Sequence, residues 1–223
     1  MLNLIYLDLL KAQAKGVGGK RNAQHTRLKL KISAAEILEE NGYDGTSIAL
    51  ICKKSGLTRA GFYIYYKNKE ELIIDLLKGL LATEQQLIPS LTDCENIYQA
   101  IESICTWYLS FQIGSAAMFF TLNEVHRYIP EVDVMRKSRR TSLLKNLTYQ
   151  LERFDKFREV DPRWRNFVLE MVGQGIHNMA QERAAHKGQN KGNFIYDVDE
   201  AVKLFSRMQY QALFCEPVQE NKI

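Results

Sequence analysis

The 223-residue chain has few residues that break helices, with only 4 prolines and 13 glycines. A fold of many short strands needs a turn every few residues, and turns are rich in these two residue types. Their scarcity argues against a sandwich or barrel of short strands and favours long helices. Hydrophobic residues make up 46% of the chain, enough to bury a core, so the composition also excludes a disordered protein.

Cysteine is equally sparse, and the four cysteines form no CxxC pair: Cys52, Cys94, Cys105 and Cys215. No histidine cluster lies near them, so the sequence predicts no metal site and no cofactor. Their scatter along a mid-sized chain does not resemble a disulfide scaffold, and we expect reduced thiols in a cytoplasmic protein. No run reaches the roughly 18 apolar residues that a membrane-spanning helix needs, so no membrane partner is expected.

The signatures of common enzymes are missing as well. There is no G-x-S-x-G, P-loop or H-E-x-x-H motif and no paired-carboxylate constellation, and the four histidines are scattered: His25, His126, His177 and His186. No residue is therefore assigned a catalytic role, and the chain is not predicted to be an enzyme.

Positive charge is concentrated at the front of the chain. Residues 1–70 carry 12 Lys and Arg against 6 Asp and Glu, whereas residues 71–223 carry 18 against 20. This asymmetry is typical of a polyanion-binding front, although a solvated basic face gives the same count.

Apolar residues at helical spacing predict an all-α fold of about nine helices and no strand. Gly42 is placed to end the first helix, Thr46 and Thr58 to cap the second and third, and two capping boxes are expected, at Asn68/Glu71 and Thr92/Glu95. The predicted helices span residues 27–41, 47–54, 59–66, 69–83, 97–113, 115–128, 132–154, 162–185 and 197–215.

Three domains are predicted from this pattern: an N-terminal extension with a basic arm (1–23), a helix-turn-helix DNA-binding domain (24–70) and an effector-binding and dimerisation domain (71–223). Residues 1–10 are interpreted as an extra amphipathic helix or a loosely held extension, and residues 11–27 as a flexible basic arm. Two roles of the arm are open. Lys20, Arg21 and Arg27 either contact DNA, in a minor groove or at phosphates, or play no part.

Residues 47–66 match a helix-turn-helix, in which two short helices meet at Gly56. Cys52 is small where the helices approach, and apolar side chains at Ile48, Ile51, Leu57 and Phe62 suit a core. The remaining residues fall on or near the outer face of the second helix: Thr58, Arg59, Ala60, Gly61, Tyr63 and Tyr65. Arginine binds a guanine edge through two hydrogen bonds, and tyrosine hydroxyls bind phosphate, so this face suits DNA.

The stretch AAEILEENGYDGTSIALICKKSGLTRAGFYIYYKNKEEL (34–72) resembles the DNA-binding domain of tetracycline-repressor-like (TetR family) transcriptional regulators. The resemblance includes the G-Y-x-G-T-S turn, the G-L-T-R start of the reading helix and the N-K-E-E-L that follows it. It implies DNA-binding roles for Thr46 and Ser47 and a phosphate contact for Lys69. Lys31, Cys52, Tyr65 and Tyr66 depart from the usual family residues, which leaves the operator sequence open.

The same resemblance implies that the rear two-thirds of the chain encloses an effector cavity and forms a dimer. The candidate cavity residues are Trp107, Tyr108, Phe111, Met118, Phe119, Asn123 and His126. The candidate interface residues are Trp164, Val168, Met171, Gly175, Met179, Val202, Phe205 and Met208, which form stripes along the last two helices.

The sequence therefore predicts a ligand-responsive regulator of transcription, a repressor that binds a palindromic operator as a homodimer and is released by a small hydrophobic or aromatic effector. One alternative stays open: a DNA-binding architectural or partner-recruiting protein of the same fold without an effector.

Overall fold

The computed structural model describes residues 5–16, 23–185 and 197–214, and all regular structure in these ranges is α-helical. The prediction of an all-α fold of about nine helices is confirmed. The helices are α1 (Tyr6–Gly16), α2 (Ala23–Asn41), α3 (Ile48–Ser55), α4 (Arg59–Tyr63), α5 (Lys69–Gln86), α6 (Ile97–Gly114), α7 (Ala116–Val125), α8 (Pro130–Leu151), α9 (Asp155–Arg158), α10 (Pro162–Ala185) and α11 (Val198–Phe214).

One short helix, α9, was not predicted, and another, α4, is shorter than predicted. The four-residue α9 is too short to show a helical period, so no sequence pattern marked it. The third predicted helix was expected to reach Tyr66, but α4 ends at Tyr63.

The helices form two compact units. The first takes in the described residues up to Leu87 together with Ser110–Arg140, and the second takes in Ile88–Leu109 and the described residues from Thr141 onward. This division does not follow the predicted boundary at residue 70, because α5 belongs to the first unit along with the helix-turn-helix.

Helix α2 is central to the first unit, where it contacts α1, α3, α5 and α7. Its apolar face is buried through Leu30, Ala34, Ile37 and Leu38, at the spacing expected for a helix facing a core. Helix α5 adds a fully buried set to the same core: Leu72, Ile73, Leu76, Leu77 and Leu80.

Helix α1 packs on α2, and its side chains Tyr6, Leu7 and Leu10 are buried. The Tyr6 hydroxyl donates to the backbone oxygen of Leu76 at 3.1 Å. A Cβ on Gly79 would lie 2.1 Å from that hydroxyl, so glycine is required for the helices to approach this closely. The predicted flexible arm is therefore wrong for residues 11–16 and 23–27, which are helical, and residues 17–22 lie outside the described residues.

A buried ion pair joins α5 to α8 within the first unit. The Arg139 guanidinium donates from Nε and from a terminal nitrogen to the two carboxylate oxygens of Glu84, each at 2.6 Å. The Glu84 side chain has no exposed surface, and the guanidinium lies 4.8 Å from the centroid of the Phe119 ring. The pair is bidentate, desolvated and covered by an aromatic ring.

In the second unit, α10 and α11 pack directly on each other. A Cβ on Gly175 would lie 3.1 Å from the ring of Phe205, so this glycine permits the close approach of the two helices. Val168 and Val172 on α10 and Val202 on α11 are buried in this unit.

Two predicted caps are wrong by a short step along the chain. Ser47, and not Thr46, is the N-cap of α3, since its hydroxyl accepts from the Leu50 amide at 3.3 Å. At α6 the predicted Thr92/Glu95 box is replaced by Asn96, which accepts from the Gln99 amide at 3.0 Å. The caps predicted at Thr58 and Asn68 are confirmed.

Candidate nucleic-acid interface

The turn between α3 and α4 is built around Gly56, which has a φ of 70°. This left-handed conformation favours glycine, and it lets the amide of Leu57 donate to the Cys52 carbonyl at 3.1 Å. The Cys52 thiol in turn donates to the Thr58 carbonyl at 3.7 Å, and burial raises the pKa of that thiol. A small, neutral cysteine thus joins the two helices at the point where they come closest.

Helix α4 presents most of its residues to solvent. Thr58 caps it by accepting from the Gly61 amide at 3.0 Å, and Phe62 anchors it with no exposed surface. The side chains of Thr58, Arg59, Ala60 and Tyr63 are exposed, and Gly61 is half-buried. A short helix held by one buried ring and exposing an arginine, a tyrosine and small residues suits insertion into a DNA groove.

Two of the residues predicted to contact DNA, Thr46 and Tyr65, are placed less favourably for reaching it. Thr46 is buried, and its hydroxyl donates to the Gly42 carbonyl at 2.7 Å. Tyr65 is half-buried and packs against the core. Because the Thr46 hydroxyl already has an intramolecular acceptor, we leave Thr46 out of the proposed DNA-binding set, while the exposed Ser47 stays in it.

Lys69 is the first residue of α5, whose N-cap Asn68 accepts from the Glu71 amide at 2.8 Å. Its ammonium donates to the Tyr43 carbonyl at 3.1 Å and lies 3.8 Å from the centroid of the Tyr43 ring. Tyr43 itself donates from its hydroxyl to Glu70, and burial, followed by the Glu70 charge, raises the pKa of Tyr43 to about 12. Lys69 is therefore held in a defined position close to the helix-turn-helix of α3 and α4, which we call the reading head.

Two departures from the usual family residues meet at one carboxylate. The Tyr66 hydroxyl donates to Asp75 at 2.7 Å, and Lys31 pairs with Asp75 at 3.1 Å. Burial alone would raise the pKa of Asp75, but the Tyr66 hydrogen bond and the Lys31 charge lower it below its usual value. Burial and the bond to Asp75 raise the pKa of Tyr66. Tyr66 is thus a core residue, and the exposed Arg27 lies 5.3 Å from the centroid of its ring.

Two exposed apolar side chains on the head were missed by the sequence argument. Ile64 follows α4 with 76% of its surface exposed, and Leu50 on α3 is 40% exposed. Neither residue was assigned to the core or to the DNA-binding face from the sequence. Ile64 lies just beyond the end of α4, at Tyr63. Lys20 and Arg21 of the predicted basic arm lie outside the described residues.

The predicted effector residues fall in both compact units. Phe111, Met118 and Phe119 are buried in the first unit, where the rings of Phe111 and Phe119 meet at 5.8 Å. Asn123 and His126 are half-buried, and His126 Nδ1 lies 2.6 Å from the Asn123 carbonyl oxygen. Trp107 and Tyr108 are buried in the second unit, with ring centroids 5.7 Å apart.

A cleft of about 460 Å³ lies elsewhere in the first unit, beside the reading head. Charged side chains of both signs line it, including Arg27, Glu71, Asp75 and Lys78. None of the predicted effector residues borders this cleft.

Among the described residues, no cluster of three potential metal ligands occurs. No helix in those ranges is long and apolar enough to cross a membrane.

The predicted interface residues divide between the interior and the surface of the second unit. Val168 and Val202 are buried within the protomer, and Gly175, Met179 and Phe205 are half-buried, so we remove the two valines from the proposed interface. The exposed members are joined by two side chains that the sequence argument missed, Phe167 and Leu204. We call the exposed set the apolar face: Trp164, Phe167, Met171, Leu204 and Met208.

Comparison with known proteins supports the interpretation of the helix-turn-helix as a DNA-binding element of a transcriptional regulator. Residues 33–76 match the sequence profile of bacterial regulatory proteins of the tetR family. The Transposon Tn10 TetC protein of Escherichia coli is 32% identical over 106 residues, which cover 48% of this chain and 54% of that protein. The chain thus matches about half the length of this curated relative.

Solved structures extend the likeness to most of the chain. A transcriptional regulator from Rhodococcus sp. Rha1 superposes with a TM-score of 0.69 at 12% identity, covering 86% of this chain and 99% of the other. The transcriptional regulator FadR from Bacillus subtilis, in complex with stearoyl-CoA, gives a TM-score of 0.59 at 18% identity, covering 83% and 97%. At these identities the likeness concerns the fold.

Proposed function

Because this chain belongs to the tetR family of bacterial regulatory proteins, we propose that it represses transcription by binding an operator as a dimer and releasing it when an effector binds. The observation that carries this proposal is the geometry of α4. Its left-handed glycine turn, Thr58 cap and buried Phe62 hold Arg59 and Tyr63 in solvent on a rigid support. That is the arrangement a helix needs to read the major groove.

The proposed DNA contacts are of two kinds: contacts to base edges, which specify the DNA sequence, and contacts to phosphates, which position the protein on the duplex. Arg59 is proposed to read a base edge, and Ile64 to meet apolar groups such as a thymine methyl. Ser47, Tyr63 and Lys69 are proposed to bind phosphates, which fix the position of the head without reading sequence.

The dimer is proposed to form through the apolar face of α10 and α11. Five large apolar side chains, each between 42% and 52% exposed, form this set: Trp164, Phe167, Met171, Leu204 and Met208. Trp164 and Phe167 stack at 5.7 Å, and the Trp164 indole donates to the Ala212 carbonyl, so part of the surface is ordered in the protomer. A two-fold dimer would present two α4 helices to a palindromic site.

The effector is proposed to be an amphipathic molecule with a large apolar part. Buried apolar side chains of α6 and α7, including Phe111, Met118 and Phe119, would either move aside for the apolar part of such a molecule or pack against it. The FadR relative of the same fold is solved with stearoyl-CoA, a ligand of this general kind. The effector's influence on DNA binding is limited to its difference in affinity for the two states of the protein.

Arg59 provides the direct test of base readout. Arg59→Ala is expected to weaken binding to the operator by about 1–3 kcal/mol and to relax the preference at one base pair in each half-site. The measurement is fluorescence-anisotropy titration of the operator and of variants carrying each single base change.

Arg59→Lys is the matched variant, because it keeps the charge and loses the planar fork that forms two parallel hydrogen bonds. We expect Arg59→Lys to lose base preference while its salt dependence stays that of the parent. Unchanged base preference in both variants would show that Arg59 is not a reading residue.

A further inference from the structure

We infer that Tyr43 and Tyr128 form a relay that positions Lys69, so that the end of α7 controls one phosphate contact of the reading head. The inference rests on the proposed function, since it assigns a regulatory role to a residue pair beside the proposed DNA-binding surface. All three residues belong to the first compact unit.

The first link is between Lys69 and Tyr43. A lysine in the first turn of a helix has its charge near the positive end of the helix dipole, which is unfavourable. Here the ammonium is drawn to the Tyr43 carbonyl at 3.1 Å and to the face of the Tyr43 ring at 3.8 Å. These two contacts restrict where the ammonium can reach, so the position of Tyr43 determines the position of the charge.

The second link is between Tyr43 and Tyr128. The Tyr43 ring is buried, and its centroid lies 6.0 Å from that of Tyr128 with the planes at 44°. The Tyr43 hydroxyl donates to Glu70 at 3.4 Å, and its ring faces the Lys69 ammonium, so both of these partners lie in the first turn of α5. Tyr128 is an aromatic contact from another part of the same unit.

The third link is between Tyr128 and α7. The Tyr128 amide donates to the Val125 carbonyl at 3.2 Å, so Tyr128 continues the last turn of that helix. The same helix carries Met118 and Phe119, which are proposed to meet the effector. With 55% of its surface exposed, Tyr128 can leave Tyr43 without opening the core. A small displacement at the end of α7 would thus change the support of Tyr43 and the orientation of Lys69.

The experiment measures operator affinity over a range of salt concentrations for the parent, Tyr128→Ala, Lys69→Ala and the double variant. A phosphate contact contributes a slope of about 0.9 to the dependence of log affinity on log salt. We expect Lys69→Ala to reduce the slope by about 0.9 for each bound protomer, Tyr128→Ala to reduce it in the same direction, and the double variant to equal Lys69→Ala. Base preference should be unchanged in all four proteins.

Two controls separate the relay from a general loss of structure. Tyr128→Phe keeps the ring and should behave as the parent, and Phe120→Ala removes an exposed aromatic from the same helix and should do the same. Thermal unfolding of each variant confirms that the fold is retained.

The relay is overturned if Tyr128→Ala leaves the slope unchanged, or if it weakens binding equally with and without Lys69. It is also overturned if Lys69→Ala itself leaves the slope unchanged. A parent protein that prefers no duplex contradicts the proposed function instead, so the two failures are distinguishable.

Discussion

Replacing Arg139 with methionine is expected to lower the free energy of unfolding by about 3–5 kcal/mol, because it leaves a buried carboxylate without its partner. Glu84 has no exposed surface, and both of its oxygens accept from the Arg139 guanidinium at 2.6 Å. Methionine fills much of the same space, so the loss of charge, and not a cavity, dominates the effect. The measurement is urea denaturation followed by circular dichroism.

Arg136 is the matched control, since it lies on the same helix and pairs with Asp133 at 3.3 Å in a partly exposed position. Exposed pairs contribute about 0–1 kcal/mol, so Arg136→Met should change stability little. The double variant Glu84→Leu with Arg139→Met should recover most of the loss, because removing both charges leaves none buried unpaired. If Arg139→Met proved as stable as the parent, the ion pair would not hold α5 to α8 as described.

Placing a charge on the apolar face is expected to give the largest effect on DNA binding. Met171→Glu puts a carboxylate in the proposed dimer contact, where its desolvation opposes association. Linking two binding modules raises affinity by about 10²–10⁴-fold over one alone, so a monomeric variant should lose about that factor on a palindromic operator. Analytical ultracentrifugation measures the oligomeric state, and anisotropy titration measures operator affinity.

Tyr149→Glu is the control for this prediction. Tyr149 is an exposed aromatic on α8 in the same compact unit, but it is not part of the apolar face. The Tyr149→Glu protein should remain dimeric and bind as the parent does. A dimer that survives Met171→Glu with unchanged operator affinity would place the interface elsewhere.

Local features of the helix-turn-helix were predictable because local chemistry determines them. Gly42 and Gly56 adopt positive φ values where helix ends required them, and Thr58 and Asn68 cap the helices that follow. Where two residues of similar chemistry are adjacent, the sequence alone does not show which of them caps the helix. Thr46 and Ser47 both offer a hydroxyl, and only the course of the preceding turn decides that Ser47 caps α3 while Thr46 bonds back to Gly42.

Features that depend on packing partners could not be read from spacing alone. Val168 and Met171 belong to one apolar stripe of α10, yet in the folded chain the first is buried and the second is exposed. The effector candidates raise the same difficulty, since Phe111 and Phe119 have the pattern of a core and of a cavity wall alike. Tyr128 gave no signal at all, because its role depends on Tyr43, 85 positions earlier in the chain.

Whether this chain reads DNA as a dimer can be measured by selecting genomic DNA fragments with the purified protein and sequencing them. We expect the bound fragments to share an inverted repeat whose half-sites lie about 34–36 Å, or a multiple of that distance, apart, as two symmetry-related α4 helices require. Fragments without two-fold symmetry, or no enrichment over random competitor at moderate ionic strength, would contradict the claim that this chain reads DNA as a dimer.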